Sequence, residues 1–288
     1  MVSFASKVTT TTTTTAVAAV LVLMASSVQS SPFCPHGKGD CSDVRFFLWT
    51  SRNPDEPQQV TAANLSRSHF HADDPTKMVV HGYASGMDLA ELVAIRTAYQ
   101  EHGAYNLLYP QYLPLVDSPC YIDAVLNVNY VGRCIADFIR GADLRRRPPA
   151  PDAAPPTSAT SPEVLDLHVI GFSLGAQTAA FASKHLRPDL RLDRISAEFK
   201  CDHHRAPTYF SESILSTVGF WGWPCASVED DQMGRCPANG DGVLAGAWAD
   251  RRSRGVYALD TTSAPPFARG RWWQPTAAPT APAAVLAA

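Results

Sequence analysis

The chain has no excess of either charge: 24 Lys and Arg face 27 Asp and Glu, for a formal net charge of -3 and a sequence pI near 6.3. That balance leaves no electrostatic footprint for nucleic acid. No run is apolar for long enough to span a bilayer; even the stretch over residues 16–24 is too short. There is no internal repeat, which excludes a solenoid or a propeller. The 288 residues are therefore read as one large domain with a sizeable core, flanked by segments that do not belong to it.

Those segments show in the composition. Residues 1–30 carry Lys7, a threonine tract, a short apolar core, and Val28 and Ser30 in a small-residue cleavage pattern. They read as a signal peptide, with Ser31 starting a secreted, extracellular chain. Asn64-Leu65-Ser66 is a glycosylation sequon usable in that compartment. Residues 148–162 are rich in Pro, Ala, Ser and Thr and read as a flexible insertion. Residues 274–288 read as a disordered tail, which leaves 31–273 for the folded domain.

Strand and helix signals alternate across that domain. Residues 44–50, 77–80, 105–109, 165–170, 190–196 and 255–259 read as strands. Residues 89–99 and 122–139 have helical spacing, the second with Ile122, Val125, Val128, Val131, Ile135 and Phe138 on one face. Alternation of this kind predicts an α/β fold with a mostly parallel sheet and helices on both faces. Sites on such sheets gather at the carboxyl ends of the strands.

Gly171-Phe172-Ser173-Leu174-Gly175 falls at one such end, between an apolar strand and a run of small residues suited to a close-packed helix. A G-x-S-x-G on a strand-to-helix turn is a nucleophile elbow. Glycines two before and two after the serine remove side chains that would clash with the tight turn. The serine needs a base, an orienting acid and donors for the oxyanion. The Leu174 N–H is built into the turn, and Tyr83, in the loop His81-Gly82-Tyr83 after an earlier strand, is the nominated second donor. His81 itself reads as a structural histidine of that loop. Downstream of Ser173 the histidines are His185, on the helix leaving the elbow, and His203 and His204 in a loop; composition does not separate the last two. The intervening acids are Asp189, Asp193, Glu198 and Asp202, of which Glu198, just past a strand end, is best placed.

At these residues the chain resembles the pancreatic-lipase-like family of secreted lipases, closest to its short-lid, phospholipase A1-like branch. The likeness runs through 44–50, Val79 to Tyr83, Ser118 to Tyr121, Val131 to Cys134, the elbow segment from His168 to Gln177, His203 to Phe210 and Phe220 to Cys225. It implies an α/β-hydrolase fold and hydrolysis of lipid esters at an interface. It makes Ser173 the nucleophile, Tyr83 and Leu174 the oxyanion donors, and His203 the base, by a Cys-x-His-x-Arg pattern starting at Cys201. No metal or organic cofactor is implied.

The departures are specific. The family's Leu-Asp-Pro-Ala acid motif is replaced by Ile195-Ser196-Ala197-Glu198, as though a stretch holding the acid, a strand and the lid had been cut out. Pro110 sits where a buried strand needs a donor. The seven cysteines are an odd number for a secreted chain. Cys34 with Cys41, Cys120 with Cys134, and Cys225 with Cys236 are close enough to pair locally, leaving Cys201 beside the apparent junction. The expected activity is that of a serine ester hydrolase (triacylglycerol lipase or phospholipase A1-like), impaired by loss of the acid. The competing readings are a non-catalytic lipid-binding protein on a lipase scaffold and a non-functional splice or gene-model variant.

Overall fold

Short apolar runs bounded by turn residues form the strands, and their alternation decides which helix covers which face. The computed structural model describes residues 33–142, 144, 163–188, 190–198 and 203–274. The expected leader over 1–30, the Pro-rich segment over 148–162, Cys201 and nearly all of the 274–288 tail lie outside the described residues.

Six strands form the main sheet: β1 (Arg45–Trp49), β2 (Gln58–Val60), β3 (Thr76–Val80), β4 (Asn106–Gln111), β5 (Glu163–Phe172) and β6 (Leu190–Glu198). Their spatial order is β2-β1-β4-β3-β5-β6. β4, β3, β5 and β6 are parallel, and β1 runs antiparallel to both β2 and β4. Helices α1 (Ala90–His102), α2 (Tyr121–Gly141), α3 (Leu174–Leu186) and α4 (Arg205–Leu215) supply the layers. Met78, Val80, Leu167 and Val169 point to one face, with Val131 and Ile135 of α2 and Ala179 and Ala182 of α3. Val79, Ile170 and Phe172 point to the other, with Leu92 and Ile95 of α1 and Phe210 and Ile214 of α4. This is the mostly parallel sheet with helices on both faces expected from the alternation, and it agrees with the α/β-hydrolase fold that the resemblance implies.

Beyond α4, residues form a small antiparallel sheet in the order β8-β7-β9, from β7 (Trp221–Cys225), β8 (Val243–Leu244) and β9 (Val256–Leu259), with α5 (Val228–Gln232) between β7 and β8. The Arg194 guanidinium on β6 ties it to the main body, donating to Gly246 O at 2.7 Å and Ala247 O at 2.6 Å. Among the described residues β6 has no strand on its outer side. No helix of the described residues is long and apolar enough to cross a membrane.

Three expectations need correction. Ile122 and Val125 are 49% and 40% exposed, so the apolar face of α2 is shorter than its periodicity suggested and begins at Ala124 and Val128. The first turn of α2 lies under the His81-Gly82-Tyr83 loop instead of the sheet, where Tyr121 meets Tyr83 edge-on at 5.0 Å. Pro110 is accommodated because β3 stops pairing with β4 at Met78↔Leu108, so no ladder donor is missed on that side.

The third correction concerns the disulfides. All six candidate cysteines are paired, but as Cys34–Cys120, Cys41–Cys134 and Cys225–Cys236. Cys120 caps α2 and Cys134 lies inside it. Fourteen residues of helix separate them by roughly 21 Å, which excludes a bond between the two. The segment over 34–41 instead runs along α2, where Asn127 Nδ2 donates to Pro35 O at 2.9 Å and Cys41 N donates to the Tyr130 hydroxyl at 3.1 Å. The Cys41–Cys134 bridge spans 93 residues. Replacing both partners by alanine is expected to cost about 4 kcal/mol of unfolding free energy, because long loops lose most entropy in the unfolded chain. Urea unfolding checks this; a change under about 1 kcal/mol would contradict it.

Candidate active site

Ser173 stands between β5 and α3 with φ 56° and ψ -126°. Those angles belong to the first central residue of a type II′ turn, a place normally taken by glycine. A serine there stores roughly 1–3 kcal/mol of strain, held by its surroundings. Serine in this position usually caps the helix through its hydroxyl. Ser173 makes no such side-chain cap bond, so its hydroxyl is left available. The residue is half-buried.

The surroundings that hold it are glycines. A Cβ on Gly171 would lie 2.5 Å from Ala176 Cα, and one on Gly175 would lie 2.2 Å from Val80 O and 2.4 Å from His81 O. The first turn of α3 therefore rests directly on the end of β3. A Cβ on Gly82 would lie 2.7 Å from Ser173 Cβ and 3.2 Å from Leu174 N. The loop carrying Tyr83 is thus pressed against the elbow, and the two nominated donors belong to touching segments. The Leu174 N–H is in the first turn of α3, where amides have no intrahelical acceptor.

His81 fixes that loop. Its ring is 1% exposed and stacks on Tyr112 at 3.9 Å. Tyr112 N donates to Nε2 at 3.2 Å, so Nδ1 carries the proton and donates to Gly82 O at 3.1 Å. The Tyr112 hydroxyl donates to His81 O. This is the structural histidine expected from the sequence. Burial pushes its pKa down from 6.5 to about 4. His168 on β5 bonds Ser196 Oγ at 2.9 Å and is pushed down to about 2, by burial first and then by the charges of Arg194, Lys77 and Arg251. Both rings are neutral in the fold, while in the unfolded chain they take up protons below about pH 6.5. Stability is therefore full above that pH and falls as pH drops toward 4, by about 3 kcal/mol for His81 alone. Urea midpoints measured from pH 8 to pH 4 check the sign; a flat profile would contradict it.

The histidine loop reaches the elbow from α4. The His203 ring lies 4.8 Å from the Phe172 ring and the His204 ring 6.1 Å from it, with the two imidazoles nearly perpendicular. Both histidines are exposed. His185, by contrast, sits in the last turn of α3 and bonds Asn129 Oδ1 at 2.8 Å, away from the elbow.

Of the acids expected from the sequence, only the side chain of Asp193 is among those described. Asp193 pairs with Arg251. Asp189 and Asp202 lie outside the described residues. Glu198 ends β6 with its backbone in register with Phe172, one residue before the serine. Among the described residues, the carboxylate that meets this loop is Glu91, in the first turn of α1, whose Oε1 is 2.6 Å from His204 Nδ1. Sequence reasoning missed it because the search for an acid covered only the residues between serine and histidine, and Glu91 lies 113 positions before its partner.

The sequon Asn64 is half-buried, and its side-chain oxygen accepts from Thr61 N at 2.7 Å. No cluster of His, Cys, Asp and Glu able to hold a metal occurs among the described residues. A cavity of about 460 Å³ opens between β6 and the small sheet, with Phe210, Leu244, Tyr257 and Leu259 on its apolar wall and Arg194 and Ser196 on its polar one. Its volume suits a small ligand. Ser196 pairs with Ile170, three residues before the elbow serine.

A family model described as Lipase matches residues 26–198, ending on the last residue of β6. Pancreatic lipase-related protein 2 of Bos taurus is 25% identical over 297 residues, covering 69% of this chain and 58% of that protein. The protein of the same name from Myocastor coypus is 24% identical over 340 residues, with 85% and 68% covered. Pancreatic triacylglycerol lipase of Equus caballus is 24% identical over 306 residues, with 80% and 66% covered. The chain spans 58% of the length of the first of these relatives.

Proposed function

The chain belongs to the lipase family, and from that premise we propose that it is a secreted serine ester hydrolase that releases fatty acid from lipid esters. The observation that carries this reading is Ser173, strained on its elbow with an uncapped hydroxyl, against the Gly82-Tyr83 loop. In the proposed reaction an imidazole of the His203-His204 loop, His203 by the family resemblance, takes the hydroxyl proton as Ser173 Oγ attacks the ester carbonyl. The Tyr83 and Leu174 amides hold the tetrahedral oxyanion. Collapse expels the alcohol with the proton returned by the imidazole, and water then cleaves the acyl-enzyme. The apolar wall of the cavity beside β6 suits an acyl chain.

Secretion and glycosylation at Asn64 are part of the same proposal. Three disulfides support an oxidising compartment. Glu198 is the acid nominated from the sequence; a site with no orienting carboxylate would turn over about 10⁴-fold more slowly. The second reading is a lipid-binding protein that does no chemistry. Pre-steady-state hydrolysis of p-nitrophenyl butyrate separates the two. The hydrolase gives a burst of p-nitrophenol close to one equivalent per chain; a linear trace at the buffer rate would support the binder.

A further inference from the structure

The cavity between β6 and the small sheet has the make-up of an amphiphile, with a cation at one end and an apolar wall along the other. We propose that it is a binding site for a free carboxylate bearing an apolar chain, held at its head by Arg194 and Ser196 and along its tail by Phe210, Val243, Leu244 and Leu259. Taking that ligand to be the fatty acid the chain releases rests on the hydrolase reading above; the site itself does not.

β6 supplies the head end. Residues two apart share a face of a strand, so Arg194 and Ser196 both line the cavity. The Arg194 guanidinium is half-buried and donates to Gly246 O and Ala247 O. Those bonds use two of its N–H groups, and neutral carbonyls answer none of its charge. Burial lowers its pKa from 12.5, the mark of a cation short of solvent. Asp193 is bonded to Arg251, and Asp250, at the cavity's rim, to Arg252. Among the described residues neither carboxylate forms an ion pair with Arg194. A ligand carboxylate would meet that charge in a charge-assisted bond.

Ser196 supplies the second donor. Its Oγ lies 2.9 Å from His168 Nε2. The ring is held neutral by burial first and then by the charges of Arg194, Lys77 and Arg251, so it carries one proton. With that proton on Nε2, the ring donates to Oγ and leaves the hydroxyl proton for the ligand.

The tail end is apolar. Leu259 is 38% exposed, so a chain lying on it covers surface that otherwise meets water. Ser196 pairs with Ile170, three residues before Ser173. At about 3.3 Å per residue, the head end lies roughly 10 Å along the strand from the elbow. One carbonyl cannot occupy both places, so the ligand is a released acid and not the ester under attack.

The test is isothermal titration calorimetry on the full chain with sodium octanoate below its micelle concentration. Octan-1-ol and octyltrimethylammonium are the neutral and cationic controls. Octanoate is expected to saturate at one molecule per chain, with the controls at least about tenfold weaker because they lack the charge-assisted bond. Arg194→Gln should bring octanoate down to the level of octan-1-ol. Arg194 also ties down the small sheet, so Val243→Trp, on the outer strand β8, gives a second arm. Its indole fills the tail end and should abolish binding, with the thermal midpoint within a few degrees of wild type. No saturable heat with octanoate, octan-1-ol binding as tightly as octanoate, or undiminished binding in folded Val243→Trp would overturn the proposal. A p-nitrophenol burst without octanoate binding overturns this proposal and leaves the hydrolase standing. Octanoate binding without a burst supports the site and removes the hydrolysis as the source of its ligand.

Discussion

Ser173→Ala is expected to take ester turnover to the buffer background, a loss of between about 10³-fold and 10⁶-fold in kcat. The range reflects what survives without the nucleophile: the Tyr83 and Leu174 amides still polarise a bound carbonyl and give some catalysis over water. The substitution should not disturb the fold. The Ser173 hydroxyl caps nothing, and alanine tolerates its positive φ no worse than serine does. Thermal midpoints within a few degrees of wild type, with turnover gone, are the expected pair of results. A variant that keeps more than about a tenth of wild-type kcat would show that the hydrolysis has another nucleophile.

Gly175→Ala should act on the opposite property. Its methyl group would lie 2.2 Å from Val80 O, 2.4 Å from His81 O and 2.8 Å from Val80 C, all backbone atoms of a central strand end. No rotamer change relieves such an overlap, and moving either element pulls apart the joint between β3 and α3 on which the elbow stands. The expected cost is more than about 5 kcal/mol, comparable with the whole stability of a domain. The variant should therefore not accumulate as a soluble chain with a cooperative unfolding transition. Gly234, with no atom within 4 Å of an added Cβ, provides the control. Its φ of 65° makes alanine mildly strained there, but the chain should still fold. A Gly175→Ala protein that unfolds at the wild-type midpoint would mean the elbow is not packed as described.

The two results together explain which parts of the molecule could be read from the chain. The central strands were legible because each is a short apolar run with its own turn signals, and Thr76–Val80 and Glu163–Phe172 lie within a residue or two of where periodicity put them. The elbow was legible because its glycines are forced by contacts only a tight strand-to-helix turn creates. The ends of α2 were not, since periodicity reports which residues share a face but not where the neighbour stops; Ile122 and Val125 continue the stripe past the sheet. Disulfide partners were misread for a related reason. Cys34 and Cys41 are near each other in sequence, yet both lie against α2, whose cysteines are four helical turns apart.

The contact between Glu91 and His204 shows the same limit more sharply. A hydrogen bond between Glu91 and His204 depends on α1 and α4 lying side by side over one face of the sheet, and nothing local to either residue announces it. Glu198 looked better from the sequence because it follows a strand end directly. The small sheet of β7, β8 and β9 was seen only at β9, since Trp221 to Cys225 mixes aromatic residues with Gly222 and Pro224 and has no clean alternation.

The most direct measurement is peptide mapping of the wild-type chain after reaction with a fluorophosphonate at neutral pH. The account predicts a single phosphonyl adduct on the peptide containing the elbow, assigned by fragmentation to Ser173 and absent after prior denaturation. An unmodified elbow peptide from folded protein, or an adduct at another serine, would contradict it.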